Sequence, residues 1–207
     1  MGKKIITISR QTGSGGHEIG ERLAKKLNIA FHDKNIIDKA LEELNLTQAD
    51  ADSVDENVLS NFIGNLISGY SRYIGTETPY YMAEFGSTVS EQTYKIQAKY
   101  IRELAEHGPC VIVGRCAGHI LRKRDDVLNV FICADENDRI NRMMRVRDMN
   151  EERAAHTVKT TDKHRKLHHE IYTDKKWDAC ENYDLVLNVS RLGLENVVEI
   201  LAKLYEA

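Results

Sequence analysis

Between residues 10 and 18 the chain reads Arg-Gln-Thr-Gly-Ser-Gly-Gly-His-Glu, set between a β-branched run, Ile5 to Ser9, and a helical pattern that starts near Glu18. Glycines in such a turn let successive backbone N–H groups curl around an anion, and the helix that follows adds the positive end of its dipole. The chemistry this serves is phosphate binding, with Gly13, Ser14, Gly15, Gly16, His17 and Glu18 as the candidate residues. A standard phosphate loop runs G-x-x-x-x-G-K-[ST] directly after a strand. Anchored on the strand end, Arg10 takes the first glycine position and Gly15 the second. Gly16 then stands where lysine belongs, and His17 where Ser/Thr belongs. A register one residue later puts His17 at the lysine position. In both registers the lysine is absent. Two other readings stay open. One is a strand–helix turn with no ligand. The other is a dinucleotide site, with Asp33 as its ribose acid; against it, Glu18 breaks G-x-G-x-x-G. Tyr172 and Lys176 have reductase-like Tyr-x-x-x-Lys spacing, but in a basic polar segment rather than a core helix.

Arg115 follows the apolar run Cys110–Val113 across a single glycine, where its planar fork could hold a phosphate. The alternative is an arginine paired with an acid at a sheet edge. Arg139, Arg142 and Arg145 recur every third residue, and Lys159, Lys163 and Arg165 follow. This run reads either as a solvated helix face or as a lid that closes cations over transferring phosphates, a reaction that needs positioning and charge neutralisation more than covalent chemistry. Asp33 is a candidate to orient a substrate group or hold Mg2+ through water, and equally the N-cap of a helix starting at Lys34.

The elements that must position these groups alternate. Strand-like runs fall at Ile5–Ser9, Phe31–Asp33, Cys110–Val113, Val127–Ala134 and Leu185–Val189. Helical patterns cover Glu18–Leu27, Asn35–Leu44, Ser87–His107, Glu136–Asp148 and Leu194–Tyr205. Val54–Tyr70 could be helical, and residues around Gly75–Pro79 read as a loop. Tyr70, Tyr73, Tyr80 and Tyr81 fit a partner surface, acceptor stacking or plain packing alike. Glu151–Lys176 reads as helical in pieces. Strands separated by helices predict an α/β fold with a parallel sheet covered on both faces, and a ligand crevice at the carboxyl ends of its strands.

At 207 residues, 42% hydrophobic and 29% charged, the chain has an ordinary globular composition. Its net charge of −3 gives no reason to expect a nucleic acid polymer as partner. Residues 139–176 nevertheless hold eleven Lys/Arg against six Asp/Glu, which suits a small anionic ligand. The four cysteines, Cys110, Cys116, Cys133 and Cys180, form no C-x-x-C pair. They suggest a reducing compartment, with Cys110 and Cys133 as small buried apolar residues. No apolar stretch approaches a membrane span or a signal peptide, so no membrane partner and a cytoplasmic location are expected.

The segments ISRQTGSGGHEIGERLA, FHDKNII, VIVGRCAG, VFICADENDRINRM, TDKHR and WDACENYDLVLNVSRLGLENVVEIL together resemble the cytidylate kinase-like proteins, a branch of the nucleoside monophosphate kinases. The resemblance spans nearly the whole chain and is weakest over residues 45–85. It implies a P-loop NTPase-type three-layer sandwich of about five parallel strands with helices on both faces, plus a helical NMP-binding arm and a lid. In this chain they would form one kinase-like domain. Its core would be about residues 1–33, 108–148 and 178–207, its acceptor-binding insert about 34–107 and its lid about 149–177. It implies phosphoryl transfer from ATP to CMP or dCMP with Mg2+, and small nucleotides as partners; a homodimer is left open. The family's acceptor-phosphate arginine maps onto Arg115, its lid arginines onto Arg142, Arg145 and Arg165, and a lid aspartate onto Asp162. The chain departs from true cytidylate kinases at Gly16, where they have lysine, at Val113, where they have an acid, and at Cys116, where they have an aspartate. The missing lysine charge is expected from Arg10, or from Arg142 or Arg145. The rival expectations are a nucleotide-binding sensor without turnover and a kinase for another small metabolite.

Overall fold

The computed structural model describes residues 4–33, 36 and 80–207, with side chains in the second stretch from residue 94 onward. The chain divides into two compact units, residues 1–33 with 101–207 and residues 34–100. The first unit holds a five-stranded sheet. In chain order its strands are β1 (Ile5–Arg10), β2 (Ala30–His32), β3 (Cys110–Val113), β4 (Val127–Cys133) and β5 (Leu185–Asn188). All pairings are parallel, and the spatial order is β2-β3-β1-β4-β5. β1 is central because Ile5, Ile6, Thr7 and Ile8 are all buried, as a parallel strand covered on both faces requires.

Alternation along β1 decides which helix covers which face. Ile6 and Ile8 share one apolar cluster with Ile19 and Leu23 of α1 (Gly16–Leu27) and with Val197 and Leu201 of the closing helix (Leu194–Glu206). Thr7 points the other way. Its hydroxyl donates to Asn129 Oδ1 on β4 at 2.8 Å, beneath the short helix α3 (Ala117–Ile120). Gly118 allows that approach, since a Cβ there would collide with the Asn129 amide. The remaining described helices are α2 (Tyr80–His107), α4 (Glu136–Arg147), α5 (Glu151–Thr173), α6 (Val189–Leu192) and the closing helix, α7.

The expected strands and most of the expected helices are present; α3 and α6 were not expected, and Val189, read as the end of a strand, begins α6. α2 begins at Tyr80 rather than Ser87. α1 begins at Gly16, because Gly15 at φ 86° caps it with no side chain. Residues 151–173 form one continuous helix instead of pieces, capped where Asn150 Oδ1 accepts from Arg153 N at 2.9 Å. Cys133 is half-buried rather than buried, with its thiol toward the Leu187 carbonyl. The helical readings of 35–44 and 54–70, the loop at 75–79, residues Tyr70 and Tyr73, and the N-cap role of Asp33 fall on, or depend on, residues outside the described ones.

Candidate active site

The glycine turn lies at the carboxyl end of β1, in the crevice that parallel order creates. Gln11 N donates to Ile132 O at 3.0 Å, and Gln11 Oε1 accepts from Ala134 N at 3.1 Å, so both ends of Gln11 fasten the turn to β4. Ser14 Oγ closes it by donating to Gln11 O at 2.8 Å. Gly13, at φ 79°, passes against α4: a Cβ there would come within 2.5 Å of Arg139 O. Left-handed backbone and close approach both demand glycine at that position.

Gly16 is required for a different reason. A Cβ on it would lie 2.5 Å from Arg10 Cβ and 2.9 Å from Arg10 Cγ. The Arg10 stem therefore fills the space in which a residue-16 side chain would start. Its guanidinium runs on to Gly114, where a Cβ would collide with Nη1, and reaches Asp33 at 3.8 Å. Burial, then repulsion from Arg165 and Arg115, pulls the Arg10 pKa down to about 9, although Asp33 and Asp162 oppose the fall. The Arg165 pKa is likewise lowered by burial, against the pull of Asp162 and Asp33. Arg165 Nη1 donates to Arg10 O at 2.9 Å. Three arginines from distant parts of the chain thus share one crevice with more positive charge than its carboxylates balance, and an anion there would relieve the repulsion.

Arg115 is held by unusual backbone. Gly114, Arg115 and Cys116 are all left-handed, at φ 81°, 52° and 54°. Two non-glycine residues in that region store strain of the kind that concentrates at functional sites. Gly114 N donates to Ile8 O at 2.9 Å, which ties this turn to β1. Behind it, Cys116 Sγ lies 3.5 Å from His168 Nδ1 of α5. Burial raises the Cys116 thiol to about 12 and lowers His168 to about 3, so the pair is neutral at pH 7.

Asp162 is more central than its place in a basic run suggested. Oδ1 accepts from Thr12 N at 2.7 Å, and Oδ2 accepts from the buried Arg139 at 2.5 Å. One carboxylate therefore joins the turn, α4 and α5. Asp33, beside the mouth, also meets His17 Nδ1 at 2.6 Å. Arg142 pairs with Glu18 and passes over Gly15. The structure does not bring Arg145 or Lys159 to the turn. Arg145 is exposed with no partner among the described residues, and Lys159 forms a surface pair with Glu136 at 3.6 Å. In the sequence Arg139 stands only as one of a basic row. A signal was there, since at this spacing it lies one turn ahead of Arg142 on the same helix face.

A parallel β2-β3-β1-β4-β5 sheet with a glycine turn after its first strand defines an α/β protein of the P-loop type. The sequence model of the cytidylate kinase-like family matches residues 5–191, and the chain belongs to that family. No curated protein matches it. Among solved structures it is similar to an uncharacterized protein from Eubacterium ventriosum (23% identity, 99% of each chain covered, TM-score 0.72). It is also similar to shikimate kinase from Bacteroides thetaiotaomicron (15%, 98% of each chain, TM-score 0.52). A third is TT1252 from Thermus thermophilus (15%, covering 100% of this chain and 98% of that one, TM-score 0.53). At these identities the likeness is one of fold. No described helix is long and apolar enough to cross a membrane.

Proposed function

We propose that this protein transfers a phosphoryl group from ATP to a small acceptor, with a nucleoside monophosphate such as CMP or dCMP as the first candidate. The observation that carries the reading is the convergence of Arg10, Arg115 and Arg165 on the glycine turn, with the Arg10 stem in the place a residue-16 side chain would take. In this reading the backbone of Gly13–Gly16 and the start of α1 cradle the ATP phosphates, and Arg10 supplies the charge that a loop lysine would bring. Arg115 holds the acceptor phosphate. Arg142 and Arg165 neutralise charge as it shifts between donor and acceptor. Arg145 and Lys159 would join only if the end of α4 and the start of α5 moved as a lid. Asp162 and Arg165 fasten the rest of α5 to the turn.

The turn suits a triphosphate, because a glycine-rich turn running into the start of α1 can offer successive backbone N–H groups and the helix dipole to phosphate oxygens. Mg2+ bound to that triphosphate would supply further charge neutralisation, and Asp33 would be the carboxylate to hold a water of its shell. Among the described residues no three His, Cys, Asp or Glu side chains are grouped so as to hold a metal ion.

A second reading, nucleotide binding without turnover, is favoured by one observation: the Asp162 carboxylate already occupies the Thr12 N–H. ADP release measured with ATP and Mg2+ across CMP, dCMP, UMP, AMP, GMP and dTMP, beside calorimetry of ATP binding, separates the two. Acceptor-dependent ADP supports the kinase. Tight ATP binding with no acceptor-dependent ADP supports the sensor or points to another metabolite. No ATP binding would sink both.

A further inference from the structure

A cavity of about 330 Å³ opens at the opposite end of the sheet from the glycine turn. Val127, the first residue of β4, and Asp184, just before β5, line it, whereas the glycine turn follows the last residue of β1. In a parallel sheet these are opposite ends. We infer that this cavity is a second binding site, for a small phosphate- or carboxylate-bearing molecule, separate from the glycine-turn crevice.

The charges that line it are unequally committed. Asp184 Oδ2 accepts from Asn129 N at 2.8 Å, and Asp125 is engaged within the protein. Arg124 is taken by Asp126 and Glu106. By contrast His119, Arg122 and Lys175 form no ion pair among the described residues, and of their side chains Arg122 alone is hydrogen-bonded there, Nη1 donating to His119 O at 2.8 Å. His169, 8% exposed, also lines the cavity, and its Nε2 has no hydrogen-bond partner among the described residues. Orphaned buried polar atoms of this kind usually find a partner in a bound molecule or water. The bases also disfavour one another. After burial, Arg122 and Lys175 are what lower His119, while His119 and Lys175 help to lower His169 to about 4. An anion between them would remove that penalty. The cavity has the volume of a small-metabolite site, and its mouth residues Arg122 and Lys175 are exposed to a ligand arriving from solvent.

The inference is independent of the proposed kinase reaction and is tested without it. In the 15N-labelled full chain, the ring signals of His119 and His169 are assigned through H119Q and H169Q. They are then followed while inorganic phosphate replaces chloride at constant ionic strength. Around His119 the charged groups are Arg122, Arg124, Asp125, Lys175, Asp184 and His169, so the charged imidazole gains most from an added anion. Saturable shifts are expected, with the apparent pKa of His119 raised by about 0.5 or more. The paired change Arg122→Ala and Lys175→Ala, both on exposed side chains, should weaken the effect about tenfold. Arg115→Ala, in the other crevice, should leave it intact. Repetition with citrate separates the sources. Saturation by phosphate alone assigns a phosphate-bearing ligand, and saturation by both assigns any compact anion. Shifts that never saturate, that survive the paired change, or that vanish in Arg115→Ala overturn the inference.

Discussion

Arg10 and Gly16 are best understood as one unit. A lysine cannot simply be restored at residue 16, because its Cβ would meet the Arg10 stem at 2.5 Å. Removing Arg10 should empty both the space and the charge. Arg10→Ala is expected to lower acceptor-dependent turnover by about 10³-fold, the scale on which a transition-state arginine acts. Gly16→Lys alone should also be poor, for steric reasons. The double variant should recover more than the product of the two single losses, a coupling that a double-mutant cycle in kcat reads directly. Strict additivity would show that the two side chains do not share a role. Cys116 gives a second test at this scale. Its thiol is pushed up to about 12 and its side chain is buried, whereas Cys180 is exposed. Since the thiolate is the reactive form, iodoacetamide at pH 8 should label Cys180 and spare Cys116, as peptide mass spectrometry of the native protein would report. Much of this scale could be read before the structure, because the turn, Arg115 and the absent lysine are local patterns. The placement of Arg10 against Gly16, with Arg145 away from the turn, could not. It depends on a side chain folding back across a glycine six residues later, which no periodicity encodes.

The elements were legible where the apolar pattern was strong. β3 is wholly apolar, and β1, β4 and the closing helix each carry a strong apolar pattern. α5 does not: Glu151–Thr173 buries only Ala154, Val158, His169 and Thr173, so its sequence looks polar and fragmented. What makes it one helix is tertiary. Ala154 and Val158 pack with Met143 of α4, Asp162 bonds the turn, and His168 meets Cys116. The Asp162 carboxylate is the strongest of these ties, because it also neutralises the buried Arg139. Asp162→Asn keeps an acceptor for Thr12 N but leaves Arg139 uncompensated. It should cost about 2 kcal/mol, below the value for a fully buried pair because the site is partly open to solvent. Urea unfolding measures that cost, and a loss under about 0.5 kcal/mol would mean that solvent already screens the pair. Trp177, just beyond α5, packs edge-to-face on Phe131 of β4 at 5.2 Å, while Tyr183 donates to its carbonyl at 2.6 Å. Trp177→Ala should cost about 3–5 kcal/mol by the same measurement. A much smaller loss would show that this return segment is not anchored through its indole.

On the scale of the whole molecule, the acid side of the stability profile follows from two adjacent histidines on α5. His168 is lowered to about 3, by burial first and then by Arg115 and His169. His169 is lowered to about 4, by burial first and then by His119 and Lys175. An unfolded histidine titrates near about 6.5. Below that pH the unfolded chain takes up protons that the folded one refuses. The stability these groups contribute is therefore fully present above about 6.5 and is lost as the pH falls toward 4. Each histidine should add up to about 1.4 kcal/mol per pH unit to the slope within that window. The fold thus fastens the glycine-turn crevice with a neutral Cys116–His168 contact, and acidification should loosen α5 from the turn. Urea midpoints at pH 7.5, 6.5, 5.5 and 4.5 test this, with His168→Asn expected to remove about half of the decline. A flat profile in the parent protein would mean that His168 and His169 take up protons as readily folded as unfolded, so that the Cys116–His168 contact is not held neutral as the pH falls below about 6.5.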